Sequence, residues 1–302
     1  VMRWIEPVSS HRTALFQIHF CVVLWGFTAI LGKLITLPAL GLVVWRMVLV
    51  VAALALLPSV WRGVRAMAGK LWIFAGIGAL VALHWLTFYG SIKLANASIA
   101  VTCIALTPIF LAFIEPWITG KRFEPRELLL GVIAVPGVAL VVGGVAPSMY
   151  LGIAVGVLSA LLVALFGALN KRHIGSHPAL AVTAIELGAG ALVLIALGAA
   201  WPGLGPVLPE LDLRNAGLLA LLAYGCTLLP FALSLIALRQ LSAYQAQLAI
   251  NLEPVYAIVL AIPLLGEQRE LSLLFYLGVA LILAAVFAEP WVRRTAHSAA
   301  TR

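Results

Sequence analysis

The chain reads as long apolar runs separated by short clusters of charge, proline and glycine. A helix rising 1.5 Å per residue needs roughly 20 mostly apolar residues to cross a hydrocarbon core about 30 Å thick. Ten runs meet that requirement, near 14–37, 39–58, 71–92, 97–118, 127–145, 150–170, 178–201, 214–238, 243–265 and 271–290. Only short breaks, at Leu94-Ala95-Asn96 and at Arg239-Gln240-Leu241, divide the third run from the fourth and the eighth from the ninth. No apolar–polar alternation of period two occurs, which argues against a membrane β-barrel. A short polar tail precedes the first run without an evident small-residue cleavage site, so that run is expected to be a retained span. The pattern predicts an all-α polytopic membrane protein with ten transmembrane helices.

Composition excludes the main alternatives. Of 302 residues, 64% are hydrophobic and 10% charged, with mean hydropathy +1.12. Soluble domains lie near 45–50% apolar and about 25% charged. A water-soluble globule, a disordered chain and a nucleic-acid binder are therefore set aside. The net charge of +8 is explained by topology. Arg62, Arg65 and Lys70, then Lys121, Arg122 and Arg126, Lys171 and Arg172, Arg239, and Arg293 and Arg294 all fall on the side of the N-terminus. Only Lys93, Arg214 and Arg269 fall on the other. Basic loops stay in the cytoplasm, so both termini are expected there. Cys21, Cys103 and Cys226 sit singly in apolar runs and read as small core residues, with no disulfide framework, metal site or cofactor implied.

The chain also repeats itself. At an offset of 146, Lys93 aligns with Arg239, Ala97 with Ala243, Ala100 with Ala246, and Leu106-Thr107-Pro108 with Leu252-Glu253-Pro254; Gly120 then meets Gly266 and Glu124 meets Glu270. At an offset of 140, Pro38-Ala39-Leu40 recurs as Pro178-Ala179-Leu180. The reading divides the chain into repeats at 1–146 and 147–302, each with five spans. Five is odd, so the second repeat must enter the membrane in the opposite sense. The loops agree: Gly120-Lys121-Arg122 carries two cations on the inner side, and Gly266-Glu267-Gln268 none on the outer. Inverted repeats are a signature of secondary transporters.

Asn251-Leu252-Glu253-Pro254-Val255 followed by Pro263-Leu264-Leu265-Gly266-Glu267 resembles the ninth-helix motif of the drug/metabolite transporter superfamily, in its ten-helix branch with paired EamA domains. Leu106-Thr107-Pro108, Gly120 and Trp25-Gly26 match more loosely, and Lys121 stands where the family often has Glu. The resemblance spans essentially the whole chain. It implies a 5+5 exporter with a cavity lined by spans 1–4 and 6–9, and relatives that carry amino acids, aromatic ones included.

Polar groups at membrane depth are costly and face the bundle interior, so they mark candidate contacts. Arg46 and Glu186 lie about 10–12 Å along the second and seventh spans and are counterparts at offset 140. They are read either as the two ends of a zwitterion site, one of them open to proton coupling, or as interhelical anchors. His84 with Phe88, and Trp85 with Tyr89, are i, i+4 pairs that offer an imidazole among rings. A histidine ordinarily titrates near neutral pH, which would permit a proton-linked role. Tyr224, Thr227 and Phe231 form one stripe on the eighth span, where Pro230 should free a carbonyl. Pro108 and Pro254 interrupt paired spans, and Glu253 beside Pro254 could accept an amine or a proton, or hold the kink. Trp25, Phe166, Asn170 and Asn251 complete the expected substrate-binding set. Lys33 and Glu115 are set aside as residues that snorkel. Trp4, Trp61, Trp72, Trp117, Trp201 and Trp291 near span ends read as interfacial belts.

There is no nucleotide-binding loop, HExxH, nucleophile elbow or channel filter, so the chain is not expected to be an enzyme or channel. The expectation is a bacterial-type inner-membrane exporter of small metabolites, hydrophobic or aromatic amino acids first, with the bilayer as its other partner. Two alternatives stand. One is a phosphorylated-sugar or nucleotide-sugar carrier of the same superfamily, which would call for several central cations. The other is a membrane enzyme or structural subunit without flux.

Overall fold

The computed structural model describes residues 11–123, 136–137, 139–250 and 252–287. Among these, six helical segments are long and apolar enough to cross a membrane, and a seventh appears if one bent pair counts as a single span. In chain order the helices are α1 (His11–Leu34), α2 (Ala39–Ala55), α3 (Pro58–Ala66), α4 (Leu71–Leu94), α5 (Ala97–Ile104), α6 (Thr107–Thr119), α7 (Tyr150–His173) and α8 (Ala179–Ala200). They continue with α9 (Leu213–Ala220), α10 (Leu229–Ala237), α11 (Ala243–Ile250), α12 (Glu253–Leu265) and α13 (Leu273–Phe287). No β-strand occurs among the described residues. The start of the fifth expected span lies outside them, as do Trp4, Trp291 and Asn251.

Two expected spans are broken at equivalent places. α5 ends at Ile104 and α6 begins at Thr107; α11 ends at Ile250 and α12 begins at Glu253. α6 and α12 then close alike, on Gly120 at φ 74° and Gly266 at φ 70°. Those left-handed angles suit glycine, which has no Cβ to clash with the carbonyl.

The contacts between these broken spans fix their relative direction. The Glu267 carboxylate, just past α12, accepts from the amides of Ala97 and Ser98 at the start of α5, both at 2.9 Å. The Glu115 carboxylate, near the end of α6, accepts from the amides of Ala243 (2.9 Å) and Tyr244 (3.0 Å) at the start of α11. Each span thus begins where the other ends, so the two run antiparallel. A carboxylate suits these places because the first amides of a helix lack intrahelical partners and carry partial positive charge. Glu115 is 2% exposed and buried in this contact, which corrects its expected snorkelling.

Elsewhere, small residues let helices approach, as is usual where lipid is as apolar as the protein. α4 and α8 cross through Gly78 and Gly190; a Cβ at Gly78 would overlap the Glu186 carbonyl. α2 and α3 are bent by 96°. α3 packs Val60 and Gly63 inward, Gly63 against Ala181 and Pro178, and leaves Arg62 and Arg65 exposed, as an interfacial helix does. Trp61, Trp72, Trp117 and Trp201 are all more than half exposed, in keeping with the expected belts.

Candidate functional site

A cavity of about 120 Å³ lies between the two repeats. Trp25, Arg46, His84, Trp85, Phe88, Phe166, Phe231 and Glu253 from the expected set line it. The lining continues past Gly167, Ser234 and Leu238 to Ala243 on α11. That is the end of the bundle held by Glu115. The opposite end is packed: Ser91 Oγ donates to the Gly152 carbonyl at 2.7 Å, and Lys93 Nζ donates to the Ile35 carbonyl at 2.5 Å.

Arg46 is the most elaborately held group in the cavity. Its Nε donates to Thr227 Oγ1 at 2.5 Å, Nη1 to Tyr89 Oη at 2.8 Å, and Nη2 to the Cys226 carbonyl at 3.4 Å. Its guanidinium carbon lies 3.8 Å from the centroid of the Trp85 ring, a cation–π stack. The local fold explains this reception. Residues Leu221–Leu228 form a π-helix between α9 and α10. Pro230 has no N–H to give to Cys226, four residues earlier, so that carbonyl is free for Arg46. The Thr227 hydroxyl donates to the Leu222 carbonyl at 2.6 Å and turns its lone pairs to the guanidinium. π-Helical turns concentrate at functional positions, and this one places two groups on one arginine.

His84 is fixed from α7. Ser159 Oγ donates to the His84 carbonyl at 3.0 Å and lies 2.7 Å from His84 Nδ1. The hydroxyl hydrogen being committed, Ser159 accepts from Nδ1–H, which leaves Nε2 as the acceptor of the neutral ring. The imidazole sits among Phe88 and Phe166, with ring centroids at 6.1 and 5.5 Å, and Trp85 meets Phe231 edge-on at 6.0 Å. The cavity is therefore aromatic-walled, with Arg46 and Glu253 in its lining and a ring nitrogen nearby.

Five expected residues lie outside the lining, and each has a physical reason. Tyr89 and Thr227 sit behind the guanidinium and position it. Tyr224 is 42% exposed because the π-helix changes the helical register, so the stripe expected at i, i+3, i+7 does not hold. Asn170 and Glu186 are buried against each other, Asn170 Nδ2 lying 3.4 Å from Glu186 Oε2. Arg46 and Glu186 are thus not the two poles of one site; equal depth on two helices does not give them a common face. Asn251 lies outside the described residues.

Sequence reasoning passed over Thr28 and Gln247, both buried in the lining. Thr28 Oγ1 has no hydrogen-bond partner and so is available to a solute. Gln247 stands on the Ala243, Ala246, Gln247, Ile250 stripe, a helical face legible once α11 is known to be a helix of its own. No group of His, Cys, Asp and Glu among the described residues is arranged to hold a metal ion.

Comparison with known proteins places this architecture. No curated protein matches the chain. A solved crystal structure, described only as that of a protein, superposes with a TM-score of 0.63 over 92% of this chain and 98% of its own, at 16% identity. That likeness speaks to the fold alone. The model of the EamA-like transporter family matches residues 12–143 and again 150–288, and the chain belongs to that family.

Proposed function

We propose that the protein exports small zwitterionic metabolites with hydrophobic or aromatic side chains, amino acids foremost, across the inner membrane by alternating access. The observation that carries this reading is Arg46, stacked on Trp85 in an aromatic-walled cavity that Glu253 also lines. A guanidinium receives a carboxylate, and Glu253 supplies the complementary charge for an amine. The rings of His84, Trp85, Phe88, Phe166 and Phe231 enclose the side chain. Among the described residues Arg46 is the only Lys or Arg in the lining, which suits one carboxylate better than a dianionic phosphate ester. With the basic loops inside, the cavity runs toward the cytoplasmic end, where an exporter collects its solute.

The test is counterflow of labelled amino acids in proteoliposomes. Phenylalanine and tryptophan are expected to exchange. Arg46→Ala should lower exchange by about 10–100-fold through loss of a charge-assisted contact. His84→Ala and Trp85→Ala should alter selectivity among side chains. Failure of every amino acid in the panel would overturn the substrate assignment.

A further inference from the structure

Every described glutamate buried in the bundle has an electrostatic reason to be there except one. Glu115 and Glu267 cap helices, and Glu253 shares a cavity with Arg46. Glu186 is 0% exposed in the first half of α8, yet its Oε2 has only the long contact to Asn170 Nδ2, and its Oε1 has no partner. Asn170 Oδ1 is likewise without a partner.

The packed elements offer Glu186 no counter-charge. On α2, Arg46 lines the substrate cavity, whose lining does not include Glu186, and is held there by Tyr89, Thr227 and Cys226. On α3, Arg62 and Arg65 are exposed. On α4, His84 bonds Ser159, Tyr89 bonds Arg46, and Lys93 bonds Ile35 at the far end. On α7, Lys171 donates to the Leu238 carbonyl at 2.8 Å and Arg172 to the Ile118 carbonyl at 2.8 Å; His173 is at its last turn and Tyr150 at its first. α10 carries no ionisable group.

An ionised carboxylate unpaired at this depth is strongly disfavoured. A carboxylic acid is not, because it carries no charge and its O–H can turn to the unpartnered Oδ1 of the same Asn170 amide. The pair also lies between two water-facing spaces. Phe166 and Gly167, one turn before Asn170, line the substrate cavity. Lys171, the next residue, lines a cytoplasm-side groove of about 1250 Å³, and so does Ala181 on α8. Ala181 is five residues before Glu186, about 7.5 Å along the axis. Among the described residues the groove also holds Arg62, Arg172 and Arg239 and no acidic residue. Beside it, lost hydration and then the charges of Lys70 and Arg239 hold His177 below the usual histidine range. A positive exit favours release of a proton from an acid that opens toward it.

We propose that Glu186, with Asn170 as its neutral partner, is a proton-binding site separate from the substrate cavity, and that it carries one proton inward for each solute exported. This rests on the transport reading above. The Glu186 O–H breaks as the carboxyl meets water in the groove. The proton passes to that water, and the carboxylate regains a proton from the outer side in the alternate conformation.

Two measurements test it. In proteoliposomes, labelled phenylalanine is followed by counterflow at equal pH and then under an imposed pH gradient. For the wild type, the accumulation ratio should change about tenfold per pH unit, as one-for-one coupling requires. Glu186→Gln, which keeps the shape and the Asn170 contact, should retain counterflow and lose the response to pH. A gradient response that survives in Glu186→Gln, or its absence in the wild type, overturns the proposal. Infrared spectra of the reconstituted protein are independent of transport. A protonated carboxyl C=O band should be present in the wild type and missing in Glu186→Gln, and an unchanged spectrum overturns the assignment. Absence of all counterflow in the wild type with that band intact would instead refute the transport reading.

Discussion

At one end of the bundle the Glu267 carboxylate receives the amides of Ala97 and Ser98 and the Ser98 hydroxyl; at the other, Glu115 receives the amides of Ala243 and Tyr244. The helices so held, α5 and α11, are equivalents in the repeat, but the glutamates are not. The position matching Glu267 at offset 146 is Lys121, and the carboxylate comes instead from six residues earlier on α6. What recurs is a negative charge against the open amides of a half-helix, wherever the chain can supply it. The surroundings differ as well. Beside Glu267, Asn96 caps α5 by accepting from Ile99 N at 2.9 Å and donates to Glu270 at 3.2 Å. Beside Glu115 stands Lys121, 3.9 Å away, its side chain 23% exposed, its ammonium over the Tyr244 ring. The end toward which the cavity runs is the one that Glu115 holds.

Substitutions separate these arrangements by size. Glu267→Ala should cost most, about 3–5 kcal/mol of unfolding free energy, because buried donors lose a charged acceptor. Glu115→Ala should cost about 2–3 kcal/mol by the same reasoning, with backbone amides left open. Both are read from reversible unfolding in micelles by tryptophan fluorescence, and an inverted order would break the contrast. Adding Lys121→Glu to Glu115→Ala restores a carboxylate at the repeat-equivalent position. It should recover about 1 kcal/mol or more if the task rather than the position matters. Lys121→Ala alone should change stability by about 0.5 kcal/mol or less, as partly solvated ion pairs do.

Much of this was legible in the residue pattern. Pro108 and Pro254, with the recurrence at 146, marked the interrupted spans, and the structure breaks the chain just before each. Of the i, i+4 pairs on α4, His84, Trp85 and Phe88 stand in the aromatic wall and Tyr89 holds Arg46 instead. Three features were not legible. The partners of Glu115 are hidden because depth along a helix does not say which amides lie across from it. A regular 3.6-residue period puts Tyr224 on the stripe, whereas a π-helix intervenes there. Equal depth leaves Arg46 and Glu186 open as poles of one site or as anchors between helices; the structure buries Glu186 against Asn170 and sets Arg46 alone in the cavity lining. Periodicity locates a side chain along an axis; neighbouring helices decide what it meets.

The central claim is that the two broken spans run oppositely through the bilayer, so that their glutamate-held ends face different compartments. Arg122→Cys and Gln268→Cys report on those ends directly, since both positions are exposed and Cys21, Cys103 and Cys226 are buried. In sealed right-side-out vesicles, a membrane-impermeant maleimide should label Gln268→Cys and spare Arg122→Cys, and inverted vesicles should reverse the pattern. Labelling of both from the same side would contradict the account.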